Sequence, residues 1–301
     1  MRISEKLATA RPFFSFEFFP PKDEAGSRQL FATIAALLPL RPAFVSITYG
    51  AGGSERARTV ALAKQIQQEV GLTVMAHVTC VGSTRAELRD LFDDLARAGI
   101  QNVLALRGDP PKGSTNFQTA PGGFAHANEL ITMLRRNYDF CIGAACHPET
   151  HIEAESEEAD LQHLADKVDA GADFLITQLF FDNDRYARFL SRTQDLGIRV
   201  PILPGVMPIT NFSQIARFTA ACGATIPPKL LHELNERREE PAAVEDLGVA
   251  YATLQATELL QRGCPGVHFY TLNKSPATRA IVSALLAASA WRASFSGQLT
   301  T

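Results

Sequence analysis

Short runs of apolar, aromatic and β-branched residues alternate along the chain with longer stretches in which apolar positions recur every three or four residues. The first pattern predicts strands and the second amphipathic helices. Predicted strands cover Phe13–Phe19, Phe44–Tyr49, Thr73–Cys80, Asn102–Asp109, Cys141–His147, Phe174–Phe181, Val200–Met207 and Gly266–Leu272. Helical spacing marks segments such as SRQLFATIAALL, RAELRDLFDDLARAG and EADLQHLADKVDAGA, and Gly99, Gly171 and Gly197 read as helix stops. Eight strand–helix pairs in 301 residues predict an α/β fold, a single-domain (β/α)8 TIM barrel, whose usual size is about 250 residues plus insertions. A doubly wound open sheet is the competing layout. Against it, no GxGxxG follows the first strand, and polar residues gather at the end of nearly every strand rather than at one crevice. The stretch Ile226–Pro241 (IPPKLLHELNERREEP) reads as a helical insertion between the seventh strand and its closing helix.

Charge and cysteine content narrow the partners. The 29 Lys+Arg against 32 Asp+Glu leave a net charge of -3, which offers no electrostatic reason to bind nucleic acid or an anionic membrane. Cys80, Cys141, Cys146, Cys222 and Cys264 are odd in number and form no CxxC pair, so neither a disulfide framework nor a structural zinc cluster is expected. The opening MRISEKLATARPFF has no apolar stretch suited to a signal peptide, and no apolar run reaches the roughly 20 residues of a membrane helix. A cytoplasmic protein is the expectation.

Catalytic groups of a barrel lie where strands run into the loops that follow them. Those positions are Glu17, Thr48, His77, Arg107 with Asp109, His147, Gln178, and Asn273 with Lys274. Strand alternation puts Arg107 and Asp109 on one face, and puts Ser15 and Phe19, not a cation, on the face of Glu17. A carboxyl within FFSFEFFPP suits a general acid, although a structural pairing with an arginine would also account for it. In LRGDPP, Arg107 suits a phosphate fork, Gly108 lets a ligand approach the backbone, and Asp109 can accept from a heterocycle's N–H groups. A structural Arg–Asp pair at a turn is the commoner use of such residues. GAGGSERART is glycine-rich but meets neither phosphate-loop pattern.

His147-Pro-Glu-Thr-His151, with Cys146 and His77, admits a zinc reading, but it is not HExxH and the proline indicates a chain leaving a strand. Binding of a flat polar ligand is the better use of these imidazoles, and no metal is expected. His126, His163, His232 and His268 carry no signal of their own. Phe218, four residues after Gln214, can share a helix face with it at the pocket mouth, with core packing as the alternative.

The segments FEFFPP, FVSITYGAGGSERART, AHVTC, LALRGDPP, HPETH, KVDAGADFLITQLFFD, LPGVMPITNF and HFYTLNK occur in that order. Together they closely resemble the 5,10-methylenetetrahydrofolate reductase family in its bacterial flavoprotein form, from about residue 13 to 285. The resemblance implies a (β/α)8 barrel with FAD at the C-terminal strand ends. It implies reduction of 5,10-methylenetetrahydrofolate to 5-methyltetrahydrofolate by NADH or NADPH, in a ping-pong hydride transfer through flavin N5 that serves methionine synthesis. In some metabolic settings the step would run backwards. A homodimer or homotetramer, and no regulatory domain or inhibition by S-adenosylmethionine, are further expectations.

Residue by residue, the resemblance makes Glu17 the acid that protonates the folate N10, and Asp109 the group that holds the pterin and tunes the flavin. Gln178, Gln214, Phe218 and Lys274 fall at positions that line the substrate. Thr48, Tyr49, Ala51, His77, Arg107, Gly108, Asp109, Ala127, His147, His151, Ala154, Asp160, His163 and Lys167 fall at FAD-binding positions. Four positions depart from the family form: His147 replaces a tyrosine, His163 and Asp166 replace an asparagine and a basic residue near the FAD phosphates, and Lys274 replaces an arginine. Lysine lacks the planar fork of arginine, so the folate contact there differs. The rival readings are another TIM-barrel flavin oxidoreductase, a flavin- or folate-binding barrel with altered or lost turnover, and a zinc-dependent hydrolase or methyltransferase.

Overall fold

Strands that are apolar on both faces call for a parallel sheet covered on both sides, and the chain builds one. The computed structural model describes residues 1–8, 12–49, 53–109 and 119–289. The elements run α1 (Ile3–Leu7), β1 (Phe13–Phe18), α2 (Glu24–Leu37), β2 (Phe44–Ile47), α3 (Gly53–Gln65), β3 (Val74–Thr79), α4 (Arg85–Arg97), β4 (Asn102–Leu106), α5 (Ala127–Asn137) and β5 (Cys141–Cys146). They continue with α6 (Glu157–Asp169), β6 (Phe174–Thr177), α7 (Asn183–Asp195), β7 (Ile202–Leu203), β8 (Gly205–Val206), α8 (Phe212–Cys222), α9 (Pro228–Glu236), α10 (Pro241–Gln261), β9 (Gly266–Tyr270) and α11 (Pro276–Ala288). All strands are parallel, in the order β7-β6-β5-β4-β3-β2-β1-β9-β8. This is the expected single-domain (β/α)8 barrel.

The predicted strand Val200–Met207 is two short pieces, because Pro204 has no N–H for the ladder. Its carbonyl still accepts from the His268 N–H at 2.9 Å, and the Gly205 N–H donates to Thr177 Oγ1 at 2.9 Å. β7 pairs with β6 and β8 with β9, so the ring closes across the proline. The expected insertion holds α9, between α8 and α10. Gly99, Gly171 and Gly197 do stop helices, each with a positive φ.

Alternation sorts each strand into two environments. Phe14, Phe16 and Phe18 of β1, Val45 and Ile47 of β2, and Val267 and Phe269 of β9 pack outwards in the core shared with the helices. Phe44, Met75, Leu104, Cys141, Phe174, Ile176 and Leu203 fill the barrel's lower interior with Ile3 and Leu7 of α1. Above that apolar plug the inward positions turn polar: Ser15, Ser46, His77 and His268 are all buried, and Glu17 nearly so.

Candidate active site at the C-terminal strand ends

Glu17, the next inward residue after Ser15 on β1, is 12% exposed. Register sets Ser46 of β2 and Tyr270 of β9 beside it. Its Oε2 lies 3.6 Å from His77 Nε2 and 3.7 Å from His268 Nε2. The expectation that β1 itself sets no cation on the face of Glu17 concerns that strand alone, and the neighbours of the carboxyl come from other strands. Alternation within β1 excludes one on its own strand, but β3 and β9 each bring an imidazole from the side. Burial pushes the His77 pKa down to about 4 against the opposing pull of Glu17, so His77 is a neutral neighbour at physiological pH. Its Nε2 is buried without a hydrogen-bond partner, as is Thr79 Oγ1 two residues on.

His268 was without any sequence signal, yet it is central here. Ser15 Oγ lies 2.8 Å from its Nδ1 and Ser46 Oγ 3.4 Å from its Nε2. The ring stacks on Phe44 at 5.7 Å and meets Tyr270 edge-on at 5.5 Å. The Tyr270 hydroxyl donates to the Thr177 carbonyl at 2.6 Å.

A second cluster forms around the ends of β4 and β5. β4 stops at Leu106, and Gly108 takes φ +90°. That turn breaks the strand alternation, so Arg107 and Asp109 are not strand neighbours on one face as expected. A Cβ on Gly108 would come within 2.5 Å of Val81 Cγ1 and 2.9 Å of Thr79 Cβ. Arg107 Nη1 is held by Glu153 Oε2 at 2.6 Å, while Asp109 is exposed. The turn His147–Thr150 closes through a Thr150 N–H bond to the His147 carbonyl, with Thr150 at φ 74°. His147 and His151 meet edge-to-face at 4.7 Å. Burial first, then the charges of Lys167 and Arg107 with His151 beside them, lower the His147 pKa to about 3, and its Nδ1 has no partner. The His151 N–H donates to Asp160 Oδ2 at 2.9 Å, and the Glu153 N–H to His151 Nδ1 at 3.1 Å. Lys167 Nζ donates to the Ala145 carbonyl at 3.0 Å, and burial lowers its pKa. Ala154 ends this turn with a bond to the His151 carbonyl.

The remaining predicted positions lie around these clusters. Thr48 follows β2, its N–H on the Phe18 carbonyl at 2.9 Å, and Tyr49 is half-buried against the outer core. Ala127 is the buried first residue of α5. His163 is exposed one turn before Lys167 on α6, and Asp166 accepts from Gln162 at 3.1 Å. Gln178 leaves β6 with its N–H on the Cys146 carbonyl and its side chain turned back to the Leu179 N–H. Gln214 lies in the first turn of α8, whereas Phe218 packs against Ile215, Leu230 and their neighbours, which favours its core role. Lys274 is exposed, and Asn273 is committed to structure: its amide bonds both the N–H and the carbonyl of Phe19, at 2.8 and 2.9 Å. Ala51 lies outside the described residues. Among the described residues no group of three or more His, Cys, Asp or Glu is placed to hold a metal ion.

These residues fit an anionic cofactor with a planar polar ring. Lys167 is a partly buried cation, Arg107 is a second one paired with Glu153, and buried polar atoms of His77, Thr79 and His147 have no hydrogen-bond partner.

A parallel barrel whose ionisable and hydrogen-bonding side chains gather at the C-terminal strand ends has the layout of a (β/α)8 enzyme. The family model described as methylenetetrahydrofolate reductase matches residues 2–286, and the chain belongs to that family. It is 39% identical over 272 residues to the 5,10-methylenetetrahydrofolate reductase of Escherichia coli (strain K12), covering 90% of each chain. It is 40% identical over 282 residues to methylenetetrahydrofolate reductase (NADH) 1 of Arabidopsis thaliana, covering 90% of this chain and 47% of that one. The chain thus spans about half the length of its plant relative. A Clostridium thermocellum protein described as binding two copies of 5-methyl-5,6,7,8-tetrahydrofolic acid shares the fold, with a TM-score of 0.63 at 15% identity over 97% of this chain and 99% of that one.

Proposed function

We propose that this chain reduces 5,10-methylenetetrahydrofolate to 5-methyltetrahydrofolate with NAD(P)H as donor and FAD as bound cofactor. The observation that supports this best is Glu17: a nearly buried carboxyl at the barrel mouth, beside an uncharged imidazole, in a chain of this family. Thr48, Tyr49, His77, Arg107, Gly108, Ala127, His147, His151, Ala154, Asp160, His163 and Lys167 would hold FAD, which supplies hydride transfer when bound. Lys167 would balance phosphate charge, and Arg107 would do so on leaving Glu153.

Glu17 holds the proton that the folate N10 takes up as the methylene bridge opens. His77, 3.6 Å away and uncharged, is a polar neighbour of that carboxyl rather than a counter-ion, so the acid is not held as an ion pair on that side. Asp109 accepts from the pterin N–H groups, and Gln178 orients the same ring. Gln214 closes the side of the pocket towards α8, with Phe218 packed behind it in the core under that helix. Lys274 offers a single ammonium to the folate. NADH is the donor to try first, since the plant relative is named for it.

An anaerobic visible spectrum of the purified protein tests this reading. A flavin spectrum should bleach with NADH and return on addition of methylenetetrahydrofolate. Bleaching without return favours a flavin-binding protein with lost or different turnover, for which the altered His163 and Asp166 positions are the motive. A colourless protein that takes up no added FAD overturns the proposal. Glu17→Gln should still bleach with NADH but lose folate reduction by about 10²–10⁴-fold, the usual worth of a positioned acid. Folate turnover near the unmutated rate would remove Glu17 from that role.

A further inference from the structure

We propose that His268 is the positioning residue of Glu17, and that Ser15 sets its orientation from below. This rests on the reading of Glu17 as the acid. The imidazole is 1% exposed and lies one layer beneath the carboxyl inside the barrel. Parallel register puts Ser15 of β1 and Gly205 of β8 on either side of it, and Ser46 of β2, in register with Glu17, reaches its Nε2 from the layer of the carboxyl. Gly205 has no room for a side chain: a Cβ there would come within 2.6 Å of the Tyr270 ring and 2.5 Å of the Thr177 carbonyl. Phe44 beneath and Tyr270 beside it fix the ring plane.

With the plane fixed, Nδ1 is committed to Ser15 Oγ at 2.8 Å, and Nε2 is left facing Ser46 Oγ at 3.4 Å and Glu17 Oε2 at 3.7 Å. Groups turned towards the carboxyl are His77 from β3, and His268 and Tyr270 from β9. A serine hydroxyl donates or accepts with equal ease, so it serves either neutral tautomer of the ring. When Glu17 is ionised, Nε2–H, shared with Ser46 Oγ, presents its positive edge to the carboxylate 3.7 Å away, and Nδ1 accepts from Ser15. When Glu17 carries its proton, Nδ1–H donates to Ser15 and Nε2 offers a lone pair. His268 thus gives the carboxyl a matched neighbour in both states without entering the substrate pocket itself. A purely apolar residue of the same shape would fill the layer but leave Glu17 without that support on one side.

The test combines a spectroscopic and a kinetic readout on the full chain. Nitrogen NMR of histidine-labelled protein reports the tautomer of each imidazole. The His268 signals, assigned from His268→Phe, should move in both Glu17→Gln and Ser15→Ala. With FAD and folate present, His268→Phe should lower kcat for folate reduction by about tenfold or more while KM changes by less than about threefold. His268→Gln, whose amide donates or accepts at the Nε2 position, should recover most of that loss. His268 signals indifferent to Glu17→Gln, or equal kcat in all three proteins, would overturn the assignment. If the unmutated protein reduces no folate yet the His268 signals still follow Glu17, the contact stands and the folate reading falls.

Discussion

His77 and His147 sit where their imidazoles remain uncharged, at about 4 and about 3, chiefly because burial penalises the cation. Their pKa values in the unfolded chain are about 6.5. Below that pH the unfolded chain binds protons that the folded chain refuses, so stability is full above 6.5 and falls as the pH drops towards the folded values. For the fully buried His77 the loss is about 2 kcal/mol by pH 5, and somewhat less for the partly exposed His147. Urea unfolding of the cofactor-free protein at pH 7 and pH 5 measures it. His77→Gln should lose about 2 kcal/mol less over that interval than the unmutated chain. An equal loss would mean that His77 accepts a proton in the folded state.

Gly248 lies inside α10, where replacement by alanine normally stabilises by about 1 kcal/mol. Here the outcome reverses. A Cβ at this position would come within 1.8 Å of the Ile209 carbonyl, in the loop that leads from β8 to α8. Gly248→Ala should therefore destabilise by about 1–3 kcal/mol, read as a lower thermal midpoint, and should disturb Gln214 in the first turn of α8. A raised midpoint would show that the loop yields without cost. Helices such as α4 were legible because their signal is local: period, the Thr84–Glu87 cap and a terminal glycine all lie within one segment. The strand-end site was legible as a set of residues but not as a set of contacts. Alternation tells which residues of β1 share a face, yet it cannot say that β9, some 250 positions on, sets His268 against Ser15. The same limit hid the use of Arg107 by Glu153 and of Asn273 by Phe19, each a pairing between separate loops. Gly108 was recognised as permissive, but the positive φ that breaks the strand there depends on its packing against Thr79 and Val81.

The whole molecule separates stability from chemistry along the barrel axis, with an apolar plug at the N-terminal strand ends and the polar constellation at the other. α1 closes the lower end. Its Ile3 is fully buried among Phe44, Leu104 and Phe174, and the Ile3 N–H donates to Asn102 Oδ1 at 2.8 Å. The Asn102 amide in turn donates to the carbonyls of Met1 and Val74 at 3.2 and 3.3 Å, so one side chain ties α1 to the foot of β3 and β4. Ile3→Ala should cost about 2–5 kcal/mol as a buried truncation, and Asn102→Ala about 1–3 kcal/mol through the polar groups it leaves unpaired. Because both substitutions loosen the same helix, the double variant should cost less than their sum by at least about 0.5 kcal/mol. Denaturant unfolding of the four proteins measures that coupling. Binding of the proposed flavin, if FAD is taken up at the strand ends as proposed, should weaken by less than about threefold in whichever variants remain folded, since a change confined to the plug has little differential effect there. Strict additivity would mean that Asn102 stabilises β4 independently of α1, and a joint loss of affinity for the proposed flavin would mean that the two ends of the barrel are mechanically coupled.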